Sequence, residues 1–111
     1  MRMWNVDPTK MCRNHLLGEH LELHMFANAL ANNKPKLTGF VNKGLLHMEN
    51  IVLRHKILAE EMKNRNYNHK SPLEMPKALP DYVTVELWTT NLIDIEKNER
   101  DLHSRCSKCK F

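Results

Sequence analysis

Between Met11 and Ala29, the residues Met11, His15, Gly18, Glu22, Met25 and Ala29 follow one another at alternating steps of four and three. That spacing is one face of a helix, and it sets an imidazole and a carboxylate two turns apart. Such a pair can orient a substrate and move protons. Gly18 lies between them and lowers helix propensity by about 1 kcal/mol relative to Ala. That cost is easier to understand where something must approach the backbone. A solvated Glu22 beside a merely polar His15 gives the same pattern.

Two other groups contain ligand-type side chains. His20 and His24 are four apart on the same segment, but Leu21 occupies the position where a zinc-protease helix needs glutamate. They therefore read as solvated histidines. Near the C-terminus, Cys106 and Cys109 form a Cys-x2-Cys pair, with His103 three residues before it. These could supply three zinc ligands, with Cys12 or another histidine as the fourth. Only one paired half-site is visible, so no metal ligand is assigned and no cofactor is expected. No phosphate-binding glycine loop, dinucleotide fingerprint or nucleophile elbow occurs.

The elements that must position these groups read as helices. The chain has 111 residues, 41% hydrophobic and 27% charged, which suits one globular domain over residues 1–111. Three glycines, five prolines and seven methionines argue against a turn-rich β-sandwich. Asp7-Pro8 reads as an N-cap and first helical residue, so a first helix is expected over about 8–32, ended by Asn32-Asn33-Lys34-Pro35. Leu16, Leu23, Phe26 and Leu30, with Cys12, form its core stripe. A loop follows from Lys34 to about Asn42. A second helix from Leu45 to Arg65 buries Leu45, Met48, Ile51, Val52, Leu58 and Met62, and stops where Asn66 can adopt the left-handed conformation. A proline-pinned loop runs through Pro72, Pro76 and Pro80. Residues Tyr82 to Arg105 are mixed, with strand propensity at 82–85, and a helix beginning between 82 and 86 is favoured. The expected fold is all-α, a compact single domain of about three helices.

The net charge of +4 is uneven, with nine basic against four acidic residues in 34–77. Such a bias suits a polyanion, although solvated helix faces look the same. No segment approaches a membrane span and the N-terminus lacks a signal-peptide core, so a cytoplasmic protein without a membrane partner is expected. The odd count of three cysteines does not make a secreted disulfide framework.

The stretches MRMWNVDP, HLLGEHLELH and EEMKNRNYNHKSPL resemble the pyrimidine dimer DNA glycosylases, the small helical repair enzymes of the phage endonuclease V type. The resemblance covers roughly residues 1–75, and the spacing from the N-terminus to His15 and Glu22 also agrees. It implies that the α-amine of Met1 attacks C1′ of the damaged nucleotide, expels the base and forms a Schiff base, after which β-elimination cuts the strand. Glu22 is then the catalytic carboxylate, Arg2 a phosphate or sugar contact, and His15 a neighbour of the abasic sugar. As a class, α-amines titrate near ~7.7–8.0 against ~10.4 for lysine, so far more is free base at neutral pH. Bulky Arg2 blocks removal of an initiator methionine, so Met1 is expected to remain. The implied partner is double-stranded DNA carrying a damaged base or abasic site, met by a monomer in a bacterial, archaeal or viral host cell. Leu21 and Met25 stand where the well-studied phage member carries arginines. Lys34, Lys36, Lys43, Arg54 and Lys70, with His69 as a neutral donor, are the expected substitutes for those phosphate contacts. The alternative is a non-catalytic nucleic-acid-binding module of the same fold. Trp4, Tyr67 and Trp88 are equally open as base-stacking or core residues.

Overall fold

The structure is a computed structural model describing residues 1–111. It is all-helical, with α1 over Arg13–Ala31, α2 over Leu37–Asn42, α3 over Ile51–Asn64, α4 over Val85–Thr89 and α5 over Ile95–Arg105. Short 3-10 turns occupy Pro8–Lys10 and Met48–Asn50. The longest helix, α1, packs across α3, and the other elements close around that pair. No helix is long and apolar enough to cross a membrane.

The count of five helices, not three, has local causes. Asp7 does cap, accepting from the Thr9 N–H at 3.0 Å, but it starts only the 3-10 turn. The chain then extends through Met11 (φ −79°, ψ 141°), and Cys12 becomes the N-cap of α1. The expected loop at 34–42 contains α2. The expected start at Leu45 belongs to the approach to the 3-10 turn, and α3 begins at Ile51. Residues 82–105 split in two because each piece has its own cap: Thr84 Oγ1 accepts from Leu87 N–H, and Asp94 Oδ1 from Lys97 N–H, both at 3.0 Å. The 82–85 segment forms no strand. Asn33 and Asn66 end α1 and α3 at φ of 54° and 64°, the left-handed conformation that asparagine tolerates.

One continuous core holds Leu16, Leu23, Phe26 and Leu30 of α1 with Leu58 and Met62 of α3. Val52, expected inside, is 56% exposed. Three residues of the N-terminal segment, Met3, Trp4 and Val6, are also buried in this core. Two arginines, Arg54 buried and Arg65 half-buried, hold that segment. Arg54 donates to both Glu19 oxygens, at 2.6 and 3.0 Å, and to the Val6 carbonyl at 2.8 Å. Arg65 pairs with Glu61 and donates to the Pro8 and Met11 carbonyls. Arg54 is therefore withdrawn from the expected DNA-facing set, because its charge is spent on Glu19 inside the protein.

Candidate active site

The N-terminal segment runs extended against α1, fixed by the Met3 N–H donating to the Leu45 carbonyl at 2.7 Å. The Asn50 amide donates to Asn5 Oδ1 at 3.0 Å. Asn5 itself sits at φ 59°, turning the chain into the first 3-10 turn. The outcome is that the Arg2 backbone N–H donates to Glu22 Oε2 at 2.9 Å. Covalent geometry keeps successive backbone nitrogens within about 3.8 Å, so the Met1 amine lies within about 7 Å of that carboxylate. Met1 is at the surface and Glu22 half-buried.

The Arg2 side chain lies flat on Trp4, with Cζ 3.8 Å from the ring centroid, and donates to Asn98 Oδ1 at 2.6 Å. Asn98 is itself buried on α5 and donates to the Trp4 carbonyl. Burial, and then the charge of Arg105, hold the Arg2 guanidinium below its ordinary pKa. Its Nε is buried without a hydrogen-bond partner. Arg2, Lys43, Lys97 and Arg105 share a polar cleft of about 210 Å³ with Asp94 and Asp101. Its floor is closed by Gly44, at φ 70°, whose missing Cβ would fall 2.5 Å from the Leu92 carbonyl oxygen. Sequence reasoning missed Lys97, Asn98 and Arg105, since nothing local ties α5 to residue 2.

Around Glu22 the α1 surface is open. A Cβ at Gly18 would meet nothing within 4 Å. Leu21 and Met25 are 60% and 44% exposed, leaving apolar surface on either side of the carboxylate. Trp4 is core, 6% exposed. Tyr67 and Trp88 are half-buried, and Arg13 lies over the Tyr67 ring.

His15 is held elsewhere. Its ring meets Trp4 edge-on, and its Nδ1 faces two sulfurs, Cys12 Sγ at 3.2 Å and Cys109 Sγ at 3.5 Å. His69 also turns inward, with Nε2 2.9 Å from His20 Nε2. Of the proposed DNA contacts, Lys43 and Lys70 are exposed. His20 and His24 are not a solvated pair: His20 is 8% exposed and packs with His24, His55 and His69 between α1 and α3. Burial, followed by the charges of the neighbouring imidazoles, pushes His20 down to about 4, so it is neutral at physiological pH. His103, expected beside the cysteines, instead contacts the Phe111 carbonyl through Nδ1 at 2.6 Å.

Comparison with known families matches the family model described as pyrimidine dimer DNA glycosylase to residues 1–75, which include the N-terminal segment, α1, α2 and α3. No curated protein and no solved structure matches the chain.

Proposed function

The chain belongs to the pyrimidine dimer DNA glycosylase family, and from that premise we propose that it excises a damaged base from duplex DNA through the Met1 α-amine and then cleaves the strand as an AP lyase. The observation that carries this reading is the 2.9 Å hydrogen bond from the Arg2 N–H to Glu22, which ties the chain's first peptide to a carboxylate. Two groups with complementary roles then face the same open surface of α1.

The reaction assigns a task to each. The amine lone pair attacks C1′ as the bond from C1′ to the base breaks, and the base leaves with the bonding pair and takes a proton. Loss of a proton from nitrogen, with cleavage of the C1′–O4′ bond and protonation of O4′, yields a C1′=N Schiff base. Glu22 takes a proton from C2′, and the released electron pair expels the 3′ phosphate in β-elimination. Before the attack, Glu22 also orients the sugar. Reaching C1′ requires an opened duplex, and extruding a nucleotide costs a few kcal/mol, least at a damaged pair.

Lys43 and Lys97, with the guanidinium groups of Arg2 and Arg105, supply a positive rim for the phosphates beside the amine. Lys70 extends the contact beyond α3, and His15 and His69 act through the packing they anchor. One chain carries both reacting groups, so the proposed enzyme works as a monomer; with DNA as its substrate, the cytoplasm is its proposed location.

The test is borohydride trapping on duplexes carrying an abasic site, a cyclobutane dimer or other lesions. A covalent complex that disappears when the amine is blocked is the expected result. Leu21 and Met25, apolar and exposed beside Glu22, favour one second reading, a non-catalytic DNA-binding module. Salt-dependent binding with no trapping on any abasic duplex selects it.

A further inference from the structure

Four ligand-type side chains from opposite ends of the chain converge where the C-terminus meets the start of α1. Cys12, His15, Cys106 and Cys109 have their Sγ and imidazole nitrogen atoms all within 4.8 Å of one another. The spacings resolved are 3.8 Å for Cys106 Sγ to Cys12 Sγ, 3.5 Å for Cys109 Sγ to His15 Nδ1, and 3.2 Å for Cys12 Sγ to His15 Nδ1. A zinc tetrahedron with Zn–S of ~2.3 Å and Zn–N of ~2.0–2.1 Å has edges of about 3.8 Å between sulfurs and about 3.5 Å from sulfur to nitrogen. Two of the three spacings match those edges, and the third needs an opening of a few tenths of an ångström. The three cysteines are all free thiols, so no disulfide competes for the sulfurs.

Backbone donors already face two of the sulfurs. The Cys12 N–H donates to Cys109 Sγ at 3.2 Å, and the His15 N–H to Cys12 Sγ at 3.5 Å. Cys12 also caps the positive end of α1, and Lys10, Lys108 and Lys110 lie close in sequence to the ligands. We propose that Cys12, His15, Cys106 and Cys109 bind one zinc ion, a closed structural site that fastens the C-terminal residues 106–111 to the first turn of α1. With four protein ligands no position is left open for water or substrate, and three soft sulfurs with one imidazole select zinc over hard cations.

The full chain, prepared with reductant and loaded with cobalt(II) in place of zinc, provides the test. The expected spectrum has thiolate-to-cobalt charge transfer together with tetrahedral d–d bands. Cys106→Ser/Cys109→Ser is expected to lose the charge-transfer band and one metal equivalent, while His103→Ala keeps both. The unmodified chain answers the question even if the variant misfolds. Absence of the band at excess cobalt under reducing conditions overturns the proposal, as does a loss in His103→Ala that His15→Gln does not share.

A separate observation concerns the imidazoles between α1 and α3. His20 Nε2 lies 3.0 Å from His55 Nε2 and 2.9 Å from His69 Nε2. A neutral ring nitrogen carries one proton or one lone pair, so His20 Nε2 can satisfy only one of these neighbours. His24 Nε2 is buried nearby with no partner at all, and with His20 and His55 it forms a second group of ligand atoms within 4.8 Å. A cation among the His20, His24 and His55 nitrogens satisfies all three. We infer that His20, His24 and His55 hold a second divalent ion of the zinc class. Cobalt titration is then expected to reach a second equivalent without a thiolate band. That equivalent survives in Cys106→Ser/Cys109→Ser and is lost in His24→Gln/His55→Gln. Saturation of the unmodified chain at one equivalent, all of it thiolate-bound, rules the second site out.

Discussion

Placing one glycine before Met1 tests whether the terminal amine is the nucleophile. The register of the N-terminal segment cannot slip to absorb the addition. Met3 is fully buried and its N–H is spent on the Leu45 carbonyl at 2.7 Å, while Trp4 and Val6 are 6% and 2% exposed. Sliding the chain by one position would move Arg2 into the space of Met3, sacrificing about 1.5–3 kcal/mol of methionine burial and burying a guanidinium instead. The new amine therefore projects outward, up to about 3.8 Å from the position of the old one. The old nitrogen becomes an amide and loses its nucleophilic lone pair.

Attack needs the reacting atoms within about 3–3.5 Å, and a misplacement of about 1 Å already costs roughly 100-fold. The extended protein should therefore trap an abasic duplex at least about 100-fold more slowly, equivalent to about 2.7 kcal/mol of barrier. Single-turnover borohydride trapping measures this, with thermal melting as the control. Melting should be unchanged, because the extension leaves from an exposed residue. Proteolytic removal of the glycine should restore the rate. Trapping within about tenfold of the unextended protein would refute the reasoning, whichever residue then carried the imine.

Glu22→Gln keeps an acceptor for the Arg2 N–H but removes the proton acceptor. It should still bind abasic DNA and lose strand cleavage by at least about 100-fold, as scored on denaturing gels. Arg54→Ala strands Glu19 in the core and should cost about 3–5 kcal/mol in urea unfolding. Arg54→Met/Glu19→Leu should recover most of that loss, and no recovery would mean that the Val6 carbonyl contact dominates. Gly44→Ala meets the Leu92 carbonyl at 2.5 Å in a positive-φ position, so a loss of about 1–3 kcal/mol is expected in the same assay. Lys43→Ala and Lys70→Ala should each flatten the log–log salt dependence of DNA binding by about one unit, and an unchanged slope removes that lysine from the interface.

Much of the scaffold is visible in local pattern. The stripe from Leu16 to Leu30 and the asparagine-led ends of α1 and α3 depend on near neighbours in sequence, so they are legible without tertiary context. The start of α1 is not, because Asp7-Pro8 is a sound cap whose turn lapses when the chain extends at Met11. Contacts that join distant elements are invisible for a different reason. His20 and His55 are 35 residues apart, so no spacing rule links them, and Cys12, 94 residues from Cys106, could be offered as its fellow ligand by residue type alone, as one choice among others. Arg54 misleads in the same way: it looks like one charge in a basic stretch until Glu19 is found facing it.

A chain terminus ordinarily frays, and under the proposed mechanism an amine that must meet one carbon atom cannot. This fold removes the conflict by burying the residues immediately behind the terminus. Met3 and Trp4 enter the core, Arg54 grips the Val6 carbonyl, and Arg65 grips the carbonyls of Pro8 and Met11. Asn98 of α5 then holds both the Arg2 side chain and the Trp4 carbonyl, so the last helix steadies the first residues. A clamp built from α5 holds only while α5 stays docked. Its far end at Arg105 leads directly into Cys106 and Cys109. If those cysteines bind zinc together with Cys12 and His15, the ion fixes α5 against the same helix that carries Glu22. Removing zinc should then loosen Arg2 before it melts the α1–α3 core. Hydrogen exchange resolves that order: faster exchange at the Arg2 and Met3 amides, with Leu23 and Leu58 still protected, is the expected pattern. Simultaneous loss of protection everywhere would mean that the core, and not the terminus, depends on the ion.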